Sequence, residues 1–409
     1  MPRIVNSHEL ENFPLISWEQ AAARMSCALR RSLDKVLSSQ DGGGLTRQEC
    51  LALANAEGDD LVGLVVAADY LRRQLVGDFV TYVITRNINF TNVCFVGCKF
   101  CAFSRGPRQP DAYFLSLEQI AAKAVEARRR RATEVCIQGG LPRGLPPYYY
   151  RDILRAVREA VPEIHIHAFS PMEIVYGTEI SGMPLSEYLA MLKENGLNTL
   201  PGTAAEILDD EVRSVLSRNK LSTAQWQAVI TTAHRCGIRS TSTLMYGHIE
   251  RPAHWVNQLL LLRAMQAETG GFTEFVPLGF IHQNTLLFHQ GIARAGPTTA
   301  EHLKIHALAR VLLAGSINNI QVSWVKLGRT MSQLCLRAGA NDYGGTLMEE
   351  NISRLAGATA GQNMEVEEFQ LRIRELGRIP AQRNTTYTQL RVSTQEPMDA
   401  RYQASPAPA

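Results

Sequence analysis

From Val80 onward the chain alternates short β-rich runs with amphipathic helices, and this rhythm restricts the fold more than any other feature. Strands that recur with a helix between them are the pattern of a parallel sheet covered by helices. The strand candidates are Val80 to Phe90, Glu134 to Gln138, Ile164 to Phe169, Thr199 to Leu200, Arg239 to Tyr246, Thr273 to Pro277, Ile320 to Trp324, and a weak one near Ala340. Capping boxes at Ser116/Gln119, Ser222/Gln225 and Thr298/Glu301 open the helices between them, and Gly196, Gly237 and Gly315 are plausible stops. Eight such repeats predict an α/β fold of the TIM-type (β/α)8 barrel class, complete or nearly so. A doubly wound open sheet is disfavoured, because no Gly-x-Gly-x-x-Gly follows the first strand.

Extensions flank the barrel, which is expected over 77–344. Residues 1–76 read as an N-terminal helical extension, with apolar residues at helical spacing in Trp18 to Leu37 and Leu61 to Leu75 and a capping box at Thr46/Glu49. Residues 345–394 read as a C-terminal helical cap. The stretch 395–409, rich in Pro, Ala and polar residues, is expected to be disordered.

Composition excludes several classes of function. With 45% hydrophobic and 20% charged residues, the chain has an ordinary globular balance. A net charge of +3 gives no field that argues for nucleic acid. The one basic run, Arg128 to Arg131, falls where a helix should end, and cations are favoured there by the helix dipole. No apolar run is long enough to span a membrane, and the N-terminus has no apolar signal core, so a cytoplasmic location is expected.

The eight cysteines are unevenly placed, and three of them, Cys94, Cys98 and Cys101, form Cys-x3-Cys-x2-Cys directly after the first predicted strand. A structural zinc site normally takes four protein ligands, and the nearest further cysteine, Cys136, lies within the second strand. Three thiolates are instead what a 4Fe-4S cluster with one open iron requires. The spacing resembles the radical S-adenosylmethionine (SAM) signature. That resemblance implies that SAM chelates the open iron and is cleaved to methionine and a 5'-deoxyadenosyl radical.

The other polar groups cluster at predicted strand ends, where a barrel enzyme carries its site. Phe100 in the cysteine loop, Gln138-Gly139-Gly140 after the second strand, Ser170 and Glu173 after the third, and Thr203 and Glu206 after the fourth are candidates for holding SAM. Ser and Glu near helix starts are often only caps, which is the plainer reading for the group Ser170, Glu173, Thr203 and Glu206. His248, Glu250 and Asp342 are candidate catalytic groups, and Arg86, His282, Lys326 and Asn341 candidate substrate ligands, all expected around one mouth.

Seven stretches, Cys94 to Phe103, His165 to Ile174, Pro201 to Leu208, Met245 to Glu250, Gly270 to Leu278, Asn319 to Gly328 and Gly339 to Glu350, resemble the FO synthase subunit 2 (CofH) family. The likeness runs from about Gly77 to Thr386. It implies a radical SAM transferase that breaks the Cα-Cβ bond of L-tyrosine and adds the 4-hydroxybenzyl group to C5 of 5-amino-6-(D-ribitylamino)uracil, a step toward the deazaflavin FO. It also implies a functional partner, FO synthase subunit 1 (CofG), for the second radical step, and an electron donor such as flavodoxin or ferredoxin. Two alternatives carry the same cysteine loop: a related enzyme of the futalosine route to menaquinone, and an iron-sulfur electron carrier. The later motifs disfavour the first, and the three-cysteine count disfavours the second.

Overall fold

The computed structural model describes residues 16–393; the expected disordered tail, 395–409, lies outside the described residues, as do residues 1–15. Strands β1 (Phe79–Val83), β2 (Thr85–Ile88), β3 (Glu134–Ile137), β4 (His165–Ala168), β5 (Thr199–Leu200), β6 (Arg239–Tyr246), β7 (Phe272–Gly279), β8 (Asp342–Gly345), β9 (Ile379–Arg383) and β10 (Leu390–Val392) form two sheets. The larger is a curled parallel sheet in the order β2-β3-β4-β5-β6-β7. The smaller runs β10-β9-β1-β8.

Helices cover the larger sheet from outside. The helix Leu117–Arg129, capped at Ser116 as expected, turns Ile120, Ala124 and Ala127 onto it, and Tyr149–Ala160 turns in Ile153, Leu154 and Val157. Buried apolar side chains spaced three and four apart are what fix an amphipathic helix to a sheet.

Three expectations are corrected. The single first strand, Val80 to Phe90, is two strands, and the chain passes from the small sheet to the large one at Ile84. The predicted strand Ile320 to Trp324 is reduced to two parallel bridges, Phe275↔Ile320 and Gln321↔Asp342, because Trp324 already begins the helix Trp324–Arg337. Those bridges continue the ring from β7 to β8, so the barrel is a six-stranded curl closed by irregular staves rather than eight regular strands. Lastly, the C-terminal cap is not wholly helical. After the helices Ile352–Ala356 and Val366–Glu375 it adds β9 parallel to β1 and β10 antiparallel to β9.

The N-terminal helices are part of the same body. The helix Gly58–Val76 packs on Thr299–Leu313, in which every residue from Leu303 to Leu313 is buried. A helix buried all round needs cover on both sides, and here the barrel supplies one and the extension the other. Arg310 on that helix is wholly buried, yet its guanidinium is satisfied by the carbonyls of Gly339 and Asn318 and by Asn341 Oδ1. Among the described residues no helix is long and apolar enough to cross a membrane.

Candidate functional site

The cysteine loop leaves β2 and is tied into a fixed shape. Asn92 donates to the Asp111 carbonyl at 2.8 Å and accepts from the Tyr113 amide at 2.9 Å. Backbone bonds Cys94 N to Arg105 O (3.0 Å) and Arg105 N to Asn92 O (2.8 Å) join its two arms. Further amide bonds pin it to segments that follow other strands, the loop after β3 and the helices Asp210–Leu216 and Leu286–His289: Phe95 N to Leu141 O, Lys99 N to Leu216 O, and Leu287 N to Lys99 O. Cys101 N bonds Cys98 O at 3.1 Å, a turn that sets two thiols on one bend, and Cys98 Sγ lies 3.2 Å from Ser217 Oγ.

All three cysteines are free thiols. Burial pushes Cys98 up to about 11, and burial also raises Cys101, with Cys94 adding to it. Iron would reverse that penalty, since a metal stabilises the thiolate. No group of three or more His, Cys, Asp or Glu among the described residues is poised to hold a single ion. A 4Fe-4S cluster puts its thiolates on different irons, so its ligands need not meet at one point. The donor set, three thiols on one rigid loop, fits such a cluster.

Cys101 stands on the wall of a cavity of about 340 Å³ inside the barrel. Its upper end, beyond the strand C-termini, carries Phe100, Cys101, Gln138, Thr203, Glu206 and Lys326. These six are the sequence-predicted residues that the structure brings together. Thr203 donates to Gln138 Oε1 at 3.0 Å. Glu206 pairs with buried Lys220 at 2.6 Å, and Lys220 sits over the Phe100 ring, 5.0 Å from its centre. Lys326 has no hydrogen-bond or ion-pair partner among the described residues; burial lowers its ammonium, and nearby Glu350 opposes that shift.

The remaining candidates are placed off the cavity wall, most of them by a structural duty. Gly139 and Gly140 serve close packing: a Cβ on Gly139 would lie 2.6 Å from the Phe90 ring, and one on Gly140 would lie 2.2 Å from the carbonyl oxygen of Val93, the residue before Cys94. Ser170 and Glu173 form a capping box, as the plainer reading expected, and the Glu173 carboxylate also accepts from Gly139 N at 3.0 Å. Burial pushes Glu173 up to about 7. Glu250 accepts from the amides of Gly247 and His248 and from Trp255 Nε1, so it braces the turn after β6. His248 is buried beside it, with Nε2 3.0 Å from the Met245 carbonyl.

Arg86 faces outward between Glu126 (2.6 Å) and Glu349 (2.7 Å). His282 packs edge-on against Phe288, and Asn341 is taken up by Arg310 and the Ile320 amide. Asp342 pairs with Arg383 at 2.5 Å below the cavity. Arg86, His248, Glu250, His282, Asn341 and Asp342, expected around one mouth, all lie off the cavity wall, and most of them have protein partners there.

Sequence reasoning missed the lower end of the cavity, lined by Glu134, His167, Glu274, Arg383 and Thr385. Arg383 ends β9 and reaches Asp342 on β8 and Glu274 on β7; Thr385 donates to Glu134 on β3 at 2.5 Å; Tyr387 donates to Glu274. This segment crosses under the barrel and closes its bottom. A signal was present. Parallel strands covered on both faces should read as continuous apolar runs, yet β3, β4, β6 and β7 carry Glu134, His167, Thr241 and Thr243, and Glu274. Polar residues at inward positions mark a barrel with a polar interior.

Comparison with known proteins agrees with this geometry. Residues 88–262 match the radical SAM superfamily model, and residues 269–396 match the CofH/MqnC C-terminal region. Methylornithine synthase (PylB) superposes with a TM-score of 0.66 at 19% identity, covering 86% of this chain and 97% of that one. HydG, a maturase of the FeFe-hydrogenase, gives 0.67 at 14% identity over 92% of this chain and 79% of its own. Those two likenesses concern the fold alone. The barrel and the family match together define the class, a radical SAM enzyme. Within that class the chain belongs to the family of the 5-amino-6-(D-ribitylamino)uracil--L-tyrosine 4-hydroxyphenyl transferases: it is 51% identical to the Methanocaldococcus jannaschii protein of that name, over 84% of this chain and 96% of that protein. It is also 52% identical to the FO synthase of Mycobacterium leprae over 90% of this chain but only 44% of the relative, so the chain spans less than half the length of that protein.

Proposed function

We propose that this chain is the transferase that joins the 4-hydroxybenzyl group of L-tyrosine to C5 of 5-amino-6-(D-ribitylamino)uracil, with Cys94, Cys98 and Cys101 holding a 4Fe-4S cluster. The observation that carries the reading is 51% identity along nearly the whole length of a transferase of that name, with Cys101 of the three-thiol loop on the wall of the barrel cavity. When bound, the cluster supplies the electron that cleaves SAM to give the 5'-deoxyadenosyl radical. The protein's share is to bind, orient and exclude water. Lys326, half-buried on the cavity wall near Glu350 but in direct ion pair with no carboxylate among the described residues, offers its ammonium to the carboxylate of an amino acid. Glu206 and Lys220 hold Phe100 at the same end, and Gln138 and Thr203 present amide and hydroxyl groups across from it.

The chain carries one Cys-x3-Cys-x2-Cys, which matches one radical step. The ring closure that yields FO then falls to a second protein of the FO synthase subunit 1 (CofG) type, and a flavodoxin or ferredoxin supplies the reducing electron. Anaerobic incubation of the reconstituted chain with SAM, reductant, L-tyrosine and the diaminouracil should give 5'-deoxyadenosine and an adduct whose mass equals the pyrimidine plus the benzylic fragment. Fluorescent FO should require the second protein. SAM cleavage without that adduct would refute the assignment.

A further inference from the structure

The two ends of the cavity differ in charge. The upper end offers the ammonium of Lys326, with Glu350 near it and Glu206 already paired to Lys220. At the lower end Glu134, Glu274 and Asp342 surround a single cation, Arg383; burial pushes Glu274 up to about 7 and lowers His167, so Glu134 and Asp342 carry most of the negative charge. That floor also has spare acceptors. Glu134 and Glu274 each use Oε2 on protein donors and leave Oε1 without a protein partner among the described residues; His167 uses Nδ1 on Thr199 and leaves Nε2. None of the three spare atoms is sealed within protein, so they face the cavity. Buried acceptors of this kind call for donors. An acidic floor repels a carboxylate or phosphate and suits a neutral group rich in hydroxyls.

We propose that the floor made by Glu134, His167, Glu274, Arg383 and Thr385 is the subsite for the polyhydroxylated ribityl chain of the pyrimidine substrate. This rests on the coupling reaction proposed above and adds an orientation to it. The pyrimidine enters tail first, its hydroxyls donate to the two carboxylates and the imidazole, and its ring is left at the level of the strand C-termini. The amino acid then occupies the upper end, where its carboxylate meets Lys326 rather than the acidic floor. Because Arg383 and Thr385 come from the segment after β9, the C-terminal part of the chain acts as a specificity element for the polyol.

The test uses the anaerobically reconstituted holoenzyme and the substitutions Glu134→Gln and Glu274→Gln, which keep side-chain shape. Loss of a charged hydrogen bond to a substrate hydroxyl should raise KM for the ribityl substrate by about ten- to a hundredfold. KM for L-tyrosine and SAM affinity should stay at wild-type values. With 5,6-diaminouracil, which lacks the chain, wild type and variants should have the same kcat/KM. A rise in KM for tyrosine instead would place its phenol at the floor and overturn the proposal, as would an equal penalty on the truncated pyrimidine. If a variant loses its iron, the wild type decides: it should prefer the ribityl substrate over 5,6-diaminouracil by at least about tenfold in kcat/KM, and equal use of both would overturn the subsite. Wild-type enzyme that makes no adduct with either pyrimidine overturns the coupling reaction, and the subsite with it.

Discussion

The upper and lower ends of the cavity are built from opposite materials. The cysteine end is local: eight consecutive residues, Cys94 to Cys101, carry all three thiols, and short-range hydrogen bonds shape the loop. The floor is assembled from distant pieces, with Thr385 and Glu134 separated by 251 positions and Arg383 and Glu274 by 109. One end exposes donors to a cofactor; the other buries charge against charge. A local site can be altered with little harm to the fold, whereas a dispersed one doubles as the cement between strands.

That contrast can be broken most sharply at the cysteine end. Replacing Cys98 with Ala should abolish production of 5'-deoxyadenosine while lowering unfolding stability by no more than about 1 kcal/mol, since the change removes one sulfur atom from a loop held by backbone hydrogen bonds. Residual SAM cleavage near the wild-type rate would rule out a role as cluster ligand. Arg383→Ala should do the reverse first. It strands the Asp342 and Glu274 carboxylates in the interior, so stability measured by urea unfolding should drop by about 3–5 kcal/mol. A drop below about 1 kcal/mol would mean that water enters the floor freely.

Gly140→Ala tests how the cysteine end is anchored. The new methyl would collide with the Val93 carbonyl and displace the root of the cysteine loop, so iron content after reconstitution should fall together with SAM affinity, each several-fold. Normal iron with weakened SAM binding would show that the glycine serves the ligand instead. A smaller effect concerns pH. Glu173 near the loops and Glu274 at the floor are both pushed up by burial to about 7. A carboxyl whose folded value lies above its unfolded one holds its proton longer in the native state, so each contributes most stability below about pH 4.5 and loses it as pH rises toward 7. Glu173→Gln and Glu274→Gln should each flatten the decline in stability between those values, by about 1–3 kcal/mol. The smallest change is expected at the exposed pair of Arg128 and Glu163, 2.6 Å apart, where Arg128→Ala should shift stability by less than about 0.5 kcal/mol.

The same contrast explains what the sequence disclosed. The thiol loop was legible because its three cysteines sit at short spacings along the chain, and the capping boxes at Ser116, Ser222 and Thr298 formed as read because a cap is decided within four residues. β9 was not legible: Ile379-Pro380-Ala381-Gln382-Arg383 has a proline and little alternation, and its pairing with β1 is fixed by tertiary packing. Arg383 looked like any surface arginine, since nothing near it in the chain announces Asp342 or Glu274. The setting of His248 and Glu250 was hidden for a related reason. A His-x-Glu at a strand end looks the same whether it faces a substrate or, as here, braces its own turn.

The strut from β9 to Tyr387 has a bearing on how the molecule comes into being. A ribosome emits β2 to β8 before any of this segment, so the nascent barrel passes through a stage with an open lower end and the carboxylates of Glu134 and Glu274 in contact with solvent. Contacts that close so large a loop form late and slowly. A chaperone or protease would meet an incomplete barrel during that interval, and full protection of the β3 and β7 amides from hydrogen exchange should appear only after Arg383 and Thr385 have docked.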